Sequence, residues 1–174
     1  FSAIVANSGC ANSSTGEQGL ADAIETTELV GKALGIEPEE VLVASTGVIG
    51  MPLPMDAVRD GISRMILTPE GGHEFERAIM TTDTVPKQAW SEVKLKRGVV
   101  RIAGMTKGAG MIHPRMATTL GFILTDAQAA PAVLRGILRR AAGRGYNRLS
   151  VDGDTSTNDT LLLLANGASG IQPN

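Results

Sequence analysis

Lys107-Gly108-Ala109-Gly110-Met111-Ile112-His113-Pro114-Arg115-Met116-Ala117-Thr118-Thr119-Leu120 cannot form one regular element. Two glycines and a proline break helix and strand alike, yet the stretch leads straight into residues 120–124, an apolar run of strand character. An irregular loop is therefore expected between two strands. Upstream, Val93 and Leu95 alternate with Glu92, Lys94 and Lys96, and Arg97-Gly98 supplies a turn before residues 99–102, which predicts a β-hairpin. Downstream, Thr125 and Gln128 are placed to cap a helix in which Val133, Leu134, Ile137, Leu138 and Ala141 face inward and Arg135, Arg139 and Arg140 face water. Residues 149–151 are expected to resume the sheet.

The first half reads as strand and helix in alternation. Residues 1–6 predict a strand and residues 7–16 a polar turn. Ser14 with Glu17, or Thr15 with Gln18, offers a capping box for a helix whose inward face is Leu20, Ala23, Ile24, Thr27, Val30 and Leu34, ending at Gly35. Residues 41–44 predict a buried strand entering Ser45-Thr46-Gly47. Met55, Val58, Ile62, Met65 and Ile66 mark a second helix, and a third spans residues 72–80 before Thr81-Thr82-Asp83-Thr84 stops it. No internal repeat or long linker divides the sequence. The expectation is a single α/β unit over residues 1–174, of the α+β type, with mixed sheets packed against helices.

Composition narrows the function classes. The 174 residues carry 16 basic and 18 acidic side chains, a formal net charge of -2, with 43% hydrophobic and 3% aromatic residues. A mean hydropathy of +0.07 leaves room for a substantial core. Near-neutral charge and scarce aromatics argue against nucleic acid as a partner. The longest apolar run, residues 161–165, is far short of the roughly 18–20 residues of a membrane span. Cys10 is the sole cysteine, so a soluble protein of a reducing, cytoplasmic setting is expected, without an internal disulfide or a cysteine-based metal cluster. The chain opens on Phe1, which suggests an interior piece of a longer protein.

Chemistry concentrates in the glycine-rich stretch. A threonine hydroxyl after small Ala117 can attack the preceding carbonyl, shift the acyl group from nitrogen to oxygen and, after hydrolysis, leave Thr118 with a free α-amine. An α-amine has an unperturbed pKa of about 7.7–8, so it can act as the base for its own hydroxyl. From spacing alone the plainer reading, that Thr118 and Thr119 are β-branched residues opening a strand, is the better one. Ser45-Thr46-Gly47 reads likewise as an ordinary turn, and Lys107 as a solvated loop lysine. In the run from Asp152 to Asp159, closely spaced carboxylates could collect a hard cation, but an Asx-rich turn that orders loops is the better reading. His73 and His113 leave little for a histidine-based triad or zinc site.

The stretch nevertheless resembles, nearly residue for residue, the signature of the ornithine acetyltransferases: lysine-glycine-small-glycine-methionine, histidine-proline, methionine-alanine-threonine. Four further segments are similar to that family in the same order: Asn7-Ser8-Gly9 with Thr15-Gly16, Ser45-Thr46-Gly47-Val48-Ile49-Gly50, Met80-Thr81-Thr82-Asp83-Thr84, and Val151-Asp152-Gly153-Asp154-Thr155-Ser156-Thr157-Asn158-Asp159. The resemblance implies a self-cleaving fold with an N-terminal threonine nucleophile, shared with related aminopeptidases. It implies a cut between Ala117 and Thr118, giving an alpha piece ending at 117 and a beta piece starting at 118. Thr118 would be the nucleophile, Thr46 and Gly47 the oxyanion donors, and Thr81, Lys107 and Thr118 the substrate contacts, with Thr81 ranked ahead of Thr82 and Thr84.

The implied reaction is a ping-pong transfer of acetyl from N-acetylornithine to glutamate in arginine biosynthesis. It uses no metal or other cofactor, and acetyl-CoA serves as a substrate in some members. The implied assembly is a heterotetramer of two alpha and two beta chains. Three positions depart from the pattern: Cys10 and Arg115 stand where asparagine is common, and Thr119 where methionine is. Two other readings stay open: a self-cleaving aminopeptidase or amidohydrolase with water as acceptor, and an uncut, inert precursor or fragment.

Overall fold

The computed structural model describes residues 1–114 and 118–173, and they form two compact units, Phe1–Thr81 and Thr82–Asn174. The sequence reading has one α/β unit, with its only division at the 117/118 junction.

In the first unit, β1 (Ala3–Asn7) and β2 (Val41–Ser45) pair in parallel, Ala3 opposite Val41 through Asn7 opposite Ser45. Parallel neighbours need a long crossover, and α1 (Gly16–Leu34) provides it. Gly35 ends α1 in the left-handed conformation, φ 69°, with its N–H on the Gly31 carbonyl, as expected of a glycine past the last turn. α2 (Met55–Arg64) and α3 (Gly72–Ala78) follow. Val30, Val41 and Ile62 form the core, with Ala3, Val5, Leu29, Ile36 and Val58 against it. Arg59 of α2 holds Glu25 of α1 in a two-point ion pair, 2.6 and 3.0 Å.

Three local expectations for this unit are corrected. Neither capping box forms: Thr15 stands at the helix start without a side-chain cap, because its hydroxyl donates back to the Asn12 carbonyl at 2.9 Å. The buried face of α1 runs through Gly19, Asp22, Thr26, Val30 and Gly31, leaving Leu20, Ile24 and Leu34 exposed. At Gly31 a Cβ would lie 2.8 Å from the Ile36 carbonyl oxygen, so the chain leaving α1 folds back against a residue that must lack a side chain. Met65 and Ile66 lie past the end of α2 and are exposed.

The second unit is a four-stranded mixed sheet in the order β3 (Lys87–Leu95), β4 (Gly98–Lys107), β5 (Leu120–Thr125), β6 (Thr160–Ala165). The β3–β4 hairpin is the predicted one, and β4–β5 is also antiparallel. β6 joins β5 in parallel, and α4 (Pro131–Arg144) makes the crossover. The expected strand at residues 149–151 does not form; Leu149 and Val151 are exposed and the final strand is Thr160–Ala165. Thr125 does not cap α4 either. Its hydroxyl donates to the Arg101 carbonyl at 2.7 Å and accepts the Ala127 N–H at 3.2 Å, a local turn that leaves Ala130 as the helix N-cap. Along α4 the buried residue is Ala142, and Val133 and Ala141, expected inward, are exposed. Both units combine strands with helices as the expected α/β class requires, and the four-stranded sheet of the second unit is mixed.

Leu120 is fully buried at the head of β5, whereas Leu124 is 45% exposed. Leu120→Ala is expected to cost about 2–5 kcal/mol of unfolding free energy, and Leu124→Ala about 1 kcal/mol or less. Urea midpoints at unchanged m-value measure both; equal costs would contradict the packing of β5.

Candidate functional site

The register of β4 and β5 fixes the site in the second unit. Lys107 and Leu120 are paired at the end of the ladder, so the chain that leaves at Gly108 returns through Thr119 at one spot on the sheet. Gly108 makes the departure at φ 145°, and a Cβ there would meet the Thr118 carbonyl oxygen and Thr119 Oγ1, each at 3.3 Å. Glycine is required by both the backbone and the space.

Carboxylates anchor the segment at three points. Gly108 N–H donates to Asp83 Oδ1 at 2.8 Å, and that same oxygen accepts the Lys87 ammonium. Met111 and Ile112 N–H donate to the two oxygens of Asp152, at 2.6 and 2.9 Å. Thr119 N–H donates to Asp159 Oδ1 at 3.2 Å. The N–H groups of Met111 and then Ile112 hold the Asp152 carboxyl below its ordinary range, while burial pushes that of Asp159 up against the pull of the Thr119 N–H. The run from Asp152 to Asp159 thus acts as a loop-ordering turn. Among the described residues, no cluster of His, Cys, Asp or Glu is placed to hold a metal ion.

Lys107 is the last residue of β4, not a loop residue, and is 1% exposed. Its ammonium has no hydrogen-bond partner among the described residues. Burial pushes its pKa down, opposed by the charges of Asp83 and then Asp159. A buried cation without a hydrogen-bonded anion is costly, and an incoming carboxylate would relieve that cost.

Thr118 is half-buried at φ 24°, and its hydroxyl donates to the Met111 carbonyl at 3.1 Å. Positive φ is rare for a β-branched residue and stores roughly 1–3 kcal/mol of strain. Ala117, the expected acyl side of the cut, and Arg115, the departure beside it, lie outside the described residues.

Thr46 and Gly47 belong to the first unit, at the C-terminal end of β2. Thr46 is buried, its N–H on the Asn7 carbonyl at 3.1 Å, and Val48 N–H donates to Gly9 at 3.2 Å. Gly47 has φ 133°, and a Cβ there would fall 2.2 Å from the Gly9 carbonyl carbon, so no other residue fits. Thr81 closes the first unit and is exposed, as are Thr82 and Thr84. The buried member of that cluster is Asp83, to which the sequence reading gave no role. Its signal was present: one carboxylate among threonines, four residues before Lys87.

The sequence profile described as the ArgJ family matches residues 1–174. The chain belongs to the ArgJ family. It is 57% identical over 170 residues to the arginine biosynthesis bifunctional protein ArgJ of Symbiobacterium thermophilum, covering 97% of this chain and 42% of that protein. The protein of the same name from Dehalococcoides mccartyi is 52% identical over 165 residues, covering 95% and 41%. The crystal structure of the arginine biosynthesis bifunctional protein argJ from Bacillus halodurans is similar at a TM-score of 0.61 and 43% identity, covering 66% of this chain and 61% of that one. This ArgJ-family chain thus spans about two fifths of the length of the curated relatives it matches.

Because the folded-state pKa of Lys107 lies below the unfolded value of about 10.4, the unfolded chain binds more protons between the two values. Stability therefore rises with pH across that window. Lys107→Met is expected to stabilise the protein at neutral pH and to remove that rise. Unfolding titrations of both proteins from neutral to alkaline pH measure the difference, and a less stable variant at neutral pH would contradict it.

Proposed function

We propose that this chain carries the cleavage junction and nucleophile of an arginine-biosynthesis acetyltransferase, which moves acetyl from N-acetylornithine to glutamate through an acetyl ester on Thr118. The observation that carries the reading is the state of Thr118: a β-branched residue at positive φ, its hydroxyl oriented by the Met111 carbonyl, in a chain of the ArgJ family. The names of the relatives, arginine biosynthesis bifunctional proteins, support the same pathway.

In the proposed activation, Thr118 Oγ1 attacks the Ala117 carbonyl carbon, the C–N bond breaks as an ester forms, and water hydrolyses that ester. The Ala117 carboxylate and a free Thr118 α-amine result. The amine then takes the hydroxyl proton while Oγ1 attacks the acetyl carbonyl of N-acetylornithine, and ornithine leaves with the proton on its amine. The α-amine of glutamate attacks the acetyl ester and regenerates Thr118.

Lys107 is assigned a substrate carboxylate, a role that suits its buried ammonium, which has no hydrogen-bond partner among the described residues. Thr81 is assigned a substrate contact, and Thr46 and Gly47 the oxyanion, on the strength of the family motif; the tight bracing of Gly47 against Gly9 suits a donor that must not reorganise. No resident cofactor or metal enters this proposal, and acetyl-CoA, a substrate of some members of the family it resembles, is left to assay as a second acetyl donor. The β4–β5 ladder and the Asp152 contacts would hold the cut pieces together, and pairs of such heterodimers would form the enzyme. A cytoplasmic setting suits the free thiol of Cys10.

The full-length parent protein is expected to run as two polypeptides split between Ala117 and Thr118 by denaturing intact mass, and Thr118→Ala as one, without transfer. Transfer or cutting by the alanine variant would sink the assignment. Release of acetate without glutamate would turn the reading toward a hydrolase. Thr46→Val is expected to lower kcat by about 10²–10³, read from initial rates with both substrates varied; an unchanged kcat would remove Thr46 from the site.

A further inference from the structure

We propose that Asp152 is a positioning residue for the nucleophile, acting through the Met111 carbonyl that receives the Thr118 hydroxyl. The inference rests on the reading above. Its carboxylate spends both oxygens on consecutive backbone groups, Met111 N–H at 2.6 Å and Ile112 N–H at 2.9 Å. The strap is doubled by Val151 N–H on the Ile112 carbonyl at 2.8 Å, and Asp154 N–H donates to Asp152 Oδ1 at 3.3 Å. Met111 is held at φ 52°, an uncommon conformation for a residue with a side chain. That backbone needs a partner to fix it, and the carboxylate supplies one. The fixed peptide aims the Met111 carbonyl at Thr118 Oγ1, 3.1 Å away.

Gly110 belongs to the same device, since a Cβ there would sit 3.4 Å from Asp152 Oδ2. Asp152 itself is exposed, so its role is defined by these hydrogen bonds and not by burial. A cut before Thr118 would leave Met111 and Ile112 on one piece and Asp152 on the other. The contact would then persist between the pieces and keep orienting the hydroxyl through turnover. Asp83, which fixes the other end of the segment at Gly108, is buried and ion-paired, so its loss would disturb folding as well as geometry.

The test uses the full-length protein with Asp152→Ala and Asp152→Asn, the latter keeping one acceptor oxygen. Charge-assisted hydrogen bonds of this kind correspond to about tenfold to a hundredfold in rate. Asp152→Ala is expected to slow cutting by that factor and to lower kcat per cut molecule similarly, with KM for N-acetylornithine and glutamate within about twofold of wild type. Asp152→Asn should fall between, with melting temperatures of both variants close to wild type. Wild-type cutting and kcat in both variants would overturn the proposal and leave the acetyltransferase reading intact. A raised KM at unchanged kcat, or collapse of the melting transition in both variants, would also overturn it. A wild-type protein that neither cuts nor transfers acetyl would overturn the reading and the proposal together.

Discussion

The pairing of Lys107 with Leu120 across the end of the β4–β5 ladder is the constraint on which the site in the second unit depends. A segment that cannot be helix or strand is made to begin and end on neighbouring, hydrogen-bonded strands. Two chemically distinctive residues, the buried lysine that ends β4 and the threonine just before β5, are thereby brought to the same end of one ladder. Fully buried Leu120 holds that edge in place. The cost of an irregular backbone is an excess of unpaired N–H groups. Asp83, Asp152 and Asp159 take up those of Gly108, Met111, Ile112 and Thr119.

Anionic capping of a loop has an electrostatic consequence. Asp83 and Asp159 both act on the Lys107 ammonium, yet neither is hydrogen-bonded to it, and desolvation remains the larger effect. The site therefore stays short of one close anion. A well-paired lysine would be more stable and would have less to offer a carboxylate ligand. Stability withheld at Lys107, the last residue of β4, and strain held at Thr118, just before β5, stand at the same end of an otherwise regular ladder.

Much of the fold was legible because strand pairing obeys patterns visible in sequence. The β3–β4 hairpin follows from alternation around Arg97-Gly98, and the parallel β1–α1–β2 unit from apolar runs separated by a helical period. Where reading failed, a competing local interaction was responsible. Thr15 and Thr125 look like helix caps, but each hydroxyl finds a nearer carbonyl, of Asn12 and of Arg101. The inward face of α1 was misjudged because its buried residues are Gly19, Asp22, Thr26, Val30 and Gly31, mostly small or polar, which a search for apolar spacing does not weigh. β6 was missed because its five uninterrupted apolar residues lack the alternation that marks a half-buried strand.

The candidate site divides along the same line. Thr118, Lys107, Thr46 and Gly47 are singled out by a motif, and the demand for glycine at 47 and 108 has a geometric basis. The burial of Lys107 was not legible, since lysine in a glycine-rich stretch reads as solvated until β4 is seen to extend to it. The aspartates were legible as residues but not as partners, because Asp83 and Asp152 reach Gly108 and Met111 across separations of 25 and 41 residues. A turn-forming motif announces its local hydrogen bonds and is silent about distant ones. In the acidic run, read from sequence as an Asx-rich turn, the carboxylates of Asp152 and Asp159 accept backbone N–H groups, which is how its geometry serves the loop beside it.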